Sequence, residues 1–248
     1  MMHSIHKKRI GIVFVGILLL SFFYFFSREV KRGFLKQADF TTTVKIQERI
    51  DKSSRLRLTS VIGNVMEGST FFASPAFTSV VVVLLTLAAL FDIRKKSTQG
   101  GPALGGKIRL RALVIPVLFG LLVLGEIYGK NVVHHPAPLF FMIKNPITIF
   151  PTYYINEQFS YPSGHTARAV FMGFVLLSFI TYHVPLVKKN FRKWVIIGGT
   201  VFFYVVVVAL GRIYLGHHWL SDVIGGGLLG GGFGLLTMGI ISPIIDGQ

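Results

Sequence analysis

Up to six stretches of this chain are apolar for long enough to cross a bilayer, and that property excludes most folds. A helix needs about 20 mostly apolar residues to cross a hydrocarbon core roughly 30 Å thick. The candidate spans are 10–26, 72–91, 112–128, 166–182, 194–210 and 223–241. Several are a few residues short, which flanking aromatic residues tolerate. Composition agrees: 52% of the 248 residues are hydrophobic and 15% charged, against about 25% charged in ordinary soluble domains. The expectation is an all-α protein, a six-transmembrane-helix bundle forming a single integral membrane domain over residues 1–248. The first run follows Lys7, Lys8 and Arg9 as a secretory signal would. Residues 21–27 are bulky and aromatic, however, with no small-x-small cleavage site, so the run reads as a retained span.

The absence of cysteine excludes disulfide scaffolds, thiolate metal sites and cysteine nucleophiles together. A formal charge of +16 would suggest nucleic acid in a soluble protein. Here the bilayer competes as the explanation, and no nucleic-acid partner is expected. Arg94, Lys95, Lys96, Lys107, Arg109 and Arg111 fall in one loop and Lys188, Lys189, Arg192 and Lys193 in another, both of which should be cytoplasmic. Residues 28–57 do not fit that rule, carrying nine Lys and Arg against four acidic residues on the opposite side. A solvated, partly helical arm is the simpler reading, because the apolar stripe begun by Val30, Phe34 and Ala38 soon fades. A helix lying on anionic headgroups is the alternative. The seven glycines at 225–227, 230–232 and 234 lie inside the last span, where they mark close helix packing. No strand precedes them and no P-loop lysine follows, which makes a nucleotide loop a poor alternative. Residues 100–106 read as a flexible connection.

Ionisable residues beside or within spans are costly and therefore functional candidates. One group runs from Lys130 through His134 and His135 to Pro138, at the end of the third span. The next is Pro162, Ser163, Gly164 and His165, opening the fourth. The third is Gly211 and Arg212, then His218 and Asp222, between the fifth and sixth. No span separates Pro138 from Pro162, and two spans separate His165 from Gly211, so all three groups belong to one face, the non-cytoplasmic one. Ser163 can cap a helix whose first amides, with Gly164, form an anion cradle. His218 and Asp222 are four apart, so on a helix the carboxylate can hold one imidazole nitrogen and leave the other basic. Such a histidine can act as a nucleophile. Arg212 and Lys130 supply fixed positive charge for a phosphoryl group.

This spaced set resembles the three signature motifs of the type 2 phosphatidic acid phosphatase superfamily, membrane lipid phosphatases related to vanadium haloperoxidases. The resemblance covers residues 130–222: a lysine with proline eight later, an intact Pro-Ser-Gly-His, and an arginine followed six later by histidine and ten later by aspartate. It implies a lipid phosphate or pyrophosphate substrate (undecaprenyl pyrophosphate, phosphatidylglycerophosphate or phosphatidate) and a mechanism without metal or other cofactor. His218 would attack phosphorus, Asp222 would orient it and His165 would protonate the leaving oxygen. Lys130, Ser163, Gly164 and Arg212 would bind phosphate, and water would release it from phosphohistidine. Two positions depart from the pattern. Ala137 stands where the family usually has arginine before the proline, and Gly211 where it usually has serine. Arg168, one turn beyond His165, is the first candidate to replace the missing guanidinium, with His134, His135 and Lys144 behind it.

Other readings stand beside this one. The four motif residues His165, Arg212, His218 and Asp222 could be caps and polar glue between spans, and Lys130 could simply pair with Glu126. The histidine pairs invite a zinc reading, which the lack of HExxH and the scarcity of carboxylates oppose. Glu126 and Glu157 could each neutralise a neighbouring cation. Residues 139–155, interrupted by Pro146 and Pro151, could form an aromatic lip admitting a lipid tail or a packed loop. A non-catalytic lipid-phosphate binder and a phosphotransferase are the rival functions.

Overall fold

The structure, a computed structural model, describes residues 2–53, 56–91, 110–144, 158–183 and 190–245. Eight α-helices occur among the described residues: α1 (Met2–Lys31), α2 (Lys36–Ser53), α3 (Leu56–Phe71), α4 (Pro75–Phe91), α5 (Val114–Val133), α6 (Gly164–His183), α7 (Phe191–Tyr214) and α8 (Leu220–Ile245). There is no strand among them, only an isolated bridge between Pro136 and Phe159. Four helical stretches are long and apolar enough to cross a membrane: Arg9–Lys31, Leu110–Val133, Phe191–Tyr214 and Leu220–Ile241. At about 1.5 Å per residue their 22 to 24 residues exceed a bilayer's hydrocarbon thickness. In α6 the apolar stretch Gly164–Ile180 is shorter.

Each expected span falls on a helix, and the second needs its start corrected. Thr59–Phe71 and Pro75–Phe91 form a pair bent by 48° that can make one broken crossing. The break has local causes. Ala73 and Ser74 turn their amides back onto Thr70 and Phe71, ending α3. Ser74 then caps α4, its Oγ accepting the Phe77 amide at 3.3 Å, with Pro75 at the first helical position where no amide is needed.

Helix α6 sits centrally, packed against α4, α5, α7 and α8, and α8 is held between α6 and α1. The main core joins Ile115, Phe119 and Leu122 of α5, Phe171 and Val175 of α6, and Leu229 and Ile241 of α8. A side chain on Gly226 or Gly230 would overlap the carbonyl oxygens of Ser163 and Ala167, so α8 meets α6 backbone to backbone. Its other glycine face receives α1, with Leu20 against Gly232 and Val13 against Gly239. Phe14, Phe22 and Phe25 of α1, Val80 and Leu84 of α4, Leu124 and Tyr128 of α5, and Phe202 and Phe203 of α7 point outward, the apolar surface a bilayer requires.

Helices α5 and α7 end, and α6 and α8 begin, at one end of the bundle, and α2 lies across it. Of the basic segment, residues 28–53 are therefore the end of α1 and a docked helix where a solvated arm was expected. Its buried stripe is polar. Asp39 and Thr43 are buried, and Gln47 donates to the carbonyls of Met142 (2.8 Å) and Tyr214 (2.9 Å). Asp51 pairs with Lys144 at 2.5 Å and accepts the Tyr214 hydroxyl at 3.0 Å. Lys36, Lys45, Arg49 and Lys52 face outward. Most of the aromatic lip (145–155), the 100–106 connection, Glu157 and the loop cations Arg94, Lys95, Lys96, Lys107, Arg109, Lys188 and Lys189 lie outside the described residues.

Candidate active site

The arginine-to-histidine spacing is produced by the way α7 stops. Leu215 donates to Gly211, and Gly216 adopts the left-handed conformation (φ +70°) that closes a helix. The chain folds back so that the amides of His217 and His218 both donate to the Arg212 carbonyl at 3.1 Å. Six residues of sequence thus shrink to one turn. Trp219 then opens α8, its amide donating to Asp222 Oδ2 at 2.8 Å, the return half of a capping box. The other motifs are tied to this turn. The Trp219 indole donates to Pro136 O at 2.8 Å, and the Ser163 amide donates to Asp222 O at 2.9 Å. After α5, residues 135–137 pair with 158–160 through Ser160 N to His135 O (2.9 Å) and Ala137 N to Gln158 O (3.4 Å).

These ties bring the expected residues to one buried place. Ser163, His165, Arg168, Arg212, His218 and Asp222 are each at most 5% exposed. His165 lies within electrostatic reach of His218, His217, Arg212 and Arg168, and His218 within reach of Arg212 and Lys130. Asp222 Oδ2 is 3.6 Å from His218 Nδ1, longer than a formed hydrogen bond. Burial lowers the pKa of His218 from imidazole's ordinary 6.5, and Arg212 acts in the same direction while the Asp222 carboxylate opposes it. His217 is pushed down to about 2 by burial, Arg212 and His218. The imidazoles of His165, His217 and His218, the guanidiniums of Arg168 and Arg212 and the ammonium of Lys130 thus share one buried cluster, rich in cations.

A carboxylate already rests there. Glu126 of α5 accepts Arg168 Nη1 at 2.6 Å and pairs with Lys130 at 3.3 Å. Its oxygens lie where any side chain on Gly164 would stand, against the first turn of α6. The Lys130–Glu126 pair expected as the bland reading is therefore formed, and it is formed inside the cluster. Arg168 also donates to Ala73 O at 2.9 Å, so its guanidinium is shared between Glu126 and the break between α3 and α4.

Residues 109–245 match the family described as the PAP2 superfamily. The chain belongs to the PAP2 superfamily. Phosphatidylglycerophosphatase B of Bacillus subtilis is 26% identical over 214 residues, 86% of this chain and 88% of that one. An undecaprenyl-diphosphatase of Sulfolobus acidocaldarius is 29% identical over 199 residues, 64% of this chain and 90% of that one. The crystal structure of a transmembrane PAP2-type phosphatidylglycerolphosphate phosphatase from Bacillus subtilis superposes with a TM-score of 0.67 at 21% identity, covering 94% of this chain and 98% of that one. At that identity the likeness is one of fold.

Both departures from the PAP2 pattern have a structural setting. A Cβ on Gly211 would stand 3.1 Å from Met66 Cβ, because α3 crosses α7 there and leaves little room for the usual serine. Ala137 is half-buried in the strand-like pairing with Gln158. Sequence reasoning named His135 as a stand-in for the missing guanidinium and passed over Asp39, and both touch the last motif of this PAP2 member. His135 donates its Nδ1–H to Asp222 Oδ1 at 2.8 Å, and Asp39 of α2 accepts both the amide and hydroxyl of Ser221 at 2.8 Å each. A histidine five after the motif lysine was a signal for the first. Nothing distinguished Asp39 from other acidic residues in a charged segment.

Proposed function

We propose that the chain is a membrane phosphatase that hydrolyses a lipid phosphate or diphosphate at the non-cytoplasmic face through a phosphohistidine intermediate. His218 Nε2 attacks phosphorus and the bond to the leaving oxygen breaks. His165 gives that oxygen its proton, releasing a lipid alcohol from a monoester or a lipid monophosphate from a diphosphate. Water then attacks phosphorus with His165 taking its proton, the P–N bond breaks, and inorganic phosphate leaves. Arg212, Lys130 and the amides after Ser163 hold the phosphoryl oxygens, where charge stabilisation provides most of the catalysis. Gly164 leaves beside the first turn of α6 the room that the Glu126 carboxylate fills and that the phosphate takes over on binding, and the residues themselves supply this chemistry without a metal.

The observation that carries the reading is the convergence of His165, His218 and Arg212, from three helix ends, within one buried charge cluster. The relatives named for phosphatidylglycerophosphate and undecaprenyl diphosphate support both substrate classes. The test is phosphate release from those two lipids and phosphatidate by purified protein in detergent with chelator present. Release is expected from at least one, with His218→Ala losing at least about 10³-fold. A requirement for added divalent metal, or an active His218→Ala variant, would overturn the proposal. Tight lipid-phosphate binding without release would instead favour a non-catalytic binder, a reading that Ala137 keeps on the table.

A further inference from the structure

Asp222 is committed on both of its oxygens, and only one commitment points to His218. Oδ2 accepts the Trp219 amide at 2.8 Å and faces His218 Nδ1 at 3.6 Å. Oδ1 faces the other way, to His135 Nδ1 at 2.8 Å, the shortest contact Asp222 makes with another side chain among the described residues. The far nitrogen of the same ring, Nε2, is 3.7 Å from Asp39 Oδ2. Asp39 is itself fixed by the two Ser221 bonds at 2.8 Å, one residue before Asp222. The side chains of all four, Asp39, His135, Asp222 and His218, are at most 6% exposed.

We propose that His135, braced by Asp39 of α2, is a positioning residue that sets the Asp222 carboxylate for its work on His218. The proposal rests on the phosphatase reading. A carboxylate with 0% exposure that loses the donor on Oδ1 is left with an unpaired buried oxygen, and its plane becomes free to turn away from His218. The His135 ring also separates two buried carboxylates, Asp39 and Asp222, whose repulsion would otherwise act on the N-terminus of α8. Backbone ties hold the ring at this station: the His135 carbonyl accepts the Ser160 amide at 2.9 Å, and the following Pro136 carbonyl accepts the Trp219 indole at 2.8 Å. When His218 acquires charge on attacking phosphorus, Asp222 closes the 3.6 Å gap to its Nδ1–H, and the fixed Oδ1 end is the pivot of that movement. Asp39, which does not touch His218, acts through His135 and through the first turn of α8.

Asn places an amide N–H near the position of imidazole Nδ1 and Gln places one near Nε2, so two substitutions separate the Asp222 bond from the Asp39 contact. With full-length protein and the lipid turned over by wild type, His135→Ala is expected to lose about 30-fold or more in kcat with KM within about twofold. His135→Asn returns to within about fivefold of wild type, His135→Gln stays near His135→Ala, and Asp39→Asn loses about three- to tenfold. A His135→Ala protein with kcat within twofold of wild type overturns the proposal, as does His135→Gln equalling or exceeding His135→Asn. That second comparison decides the matter should the alanine variant fail to fold. If wild type releases no phosphate from any lipid, the phosphatase reading fails separately. Calorimetric binding of orthovanadate, a mimic of the phosphoryl transition state, then reads the assignment. At least tenfold weaker binding by His135→Gln than by His135→Asn supports it, while equal affinities, or no binding by wild type, overturn it.

Discussion

A histidine that attacks phosphorus must be neutral at its free nitrogen. Burial and Arg212 hold His218 below 6.5 against the pull of Asp222, so the acid limb of kcat/KM for hydrolysis is expected below pH 6.5. Arg212→Gln removes one depressing charge and should move that limb upward, in addition to weakening phosphate binding; a pH–rate profile of both proteins checks the direction. Stability carries a related signature. The unfolded chain protonates His217 near 6.5, whereas the folded one does so only near 2. Between those values the unfolded state binds the extra proton, so stability present at neutral pH falls as pH drops below 6.5, by at most about 1.4 kcal/mol per unit for one group. Melting temperatures measured in detergent from pH 7 to 5 should fall, and fall less steeply in His217→Gln. Gly164→Ala would drive a methyl group into Glu126 and the mouth of the cradle, with an expected loss of about 10²-fold in kcat/KM. Removing the obstructing carboxylate in Gly164→Ala/Glu126→Ala should return part of it.

At the scale of helices, the chain declared some features and concealed others, for physical reasons. Lys130, His165, Arg212, His218 and Asp222 stood out because hydrocarbon makes charge expensive, so each one inside an apolar sequence needs a reason. Asp39 did not, because it lies in a helix of charged residues where an acid is ordinary. The buried stripe of α2 is Asp39, Thr43 and Gln47, and a search for apolar periodicity cannot find a stripe whose contacts are hydrogen bonds. Ser74 and Pro75 did signal a helix start, and the apolar run through them hid it. The reason for Gly211 lies in α3, at Met66, about 145 residues earlier in the chain, where no local reading reaches. The glycines of α8 were legible as a packing device, and they differ in a way that can be tested. A methyl group at Gly230 would overlap Ala167 O, whereas one at Gly227 meets nothing within 4 Å. Gly230→Ala should destabilise by about 1–3 kcal/mol through overpacking, and Gly227→Ala should be neutral or stabilising by up to about 1 kcal/mol from helix propensity. Paired thermal melts in one detergent compare them.

At the scale of the molecule, the absence of native cysteine makes sidedness directly measurable. Phe140, 85% exposed at the site end, and Phe191, 80% exposed at the far end of α7, are suitable label positions. In intact cells, Phe140→Cys should react with a membrane-impermeant maleimide and Phe191→Cys only after permeabilisation. The reverse pattern would put the cluster on the cytoplasmic side, and would also make the cations of α2 obey the charge rule that they otherwise break.

Because α6 and α8 touch through bare backbone at Gly226 and Gly230, the helix carrying His165 and the helix preceded by His218 have no side-chain cushion on which to slide. In the proposed mechanism, acid and nucleophile are therefore mounted on one stiff chassis. If the proposal holds, the breathing that admits a bulky amphiphile falls, among the described residues, to the outer parts, the crosswise α2 and the short turn Phe140–Met142, while the spacing of His165 and His218 stays constant.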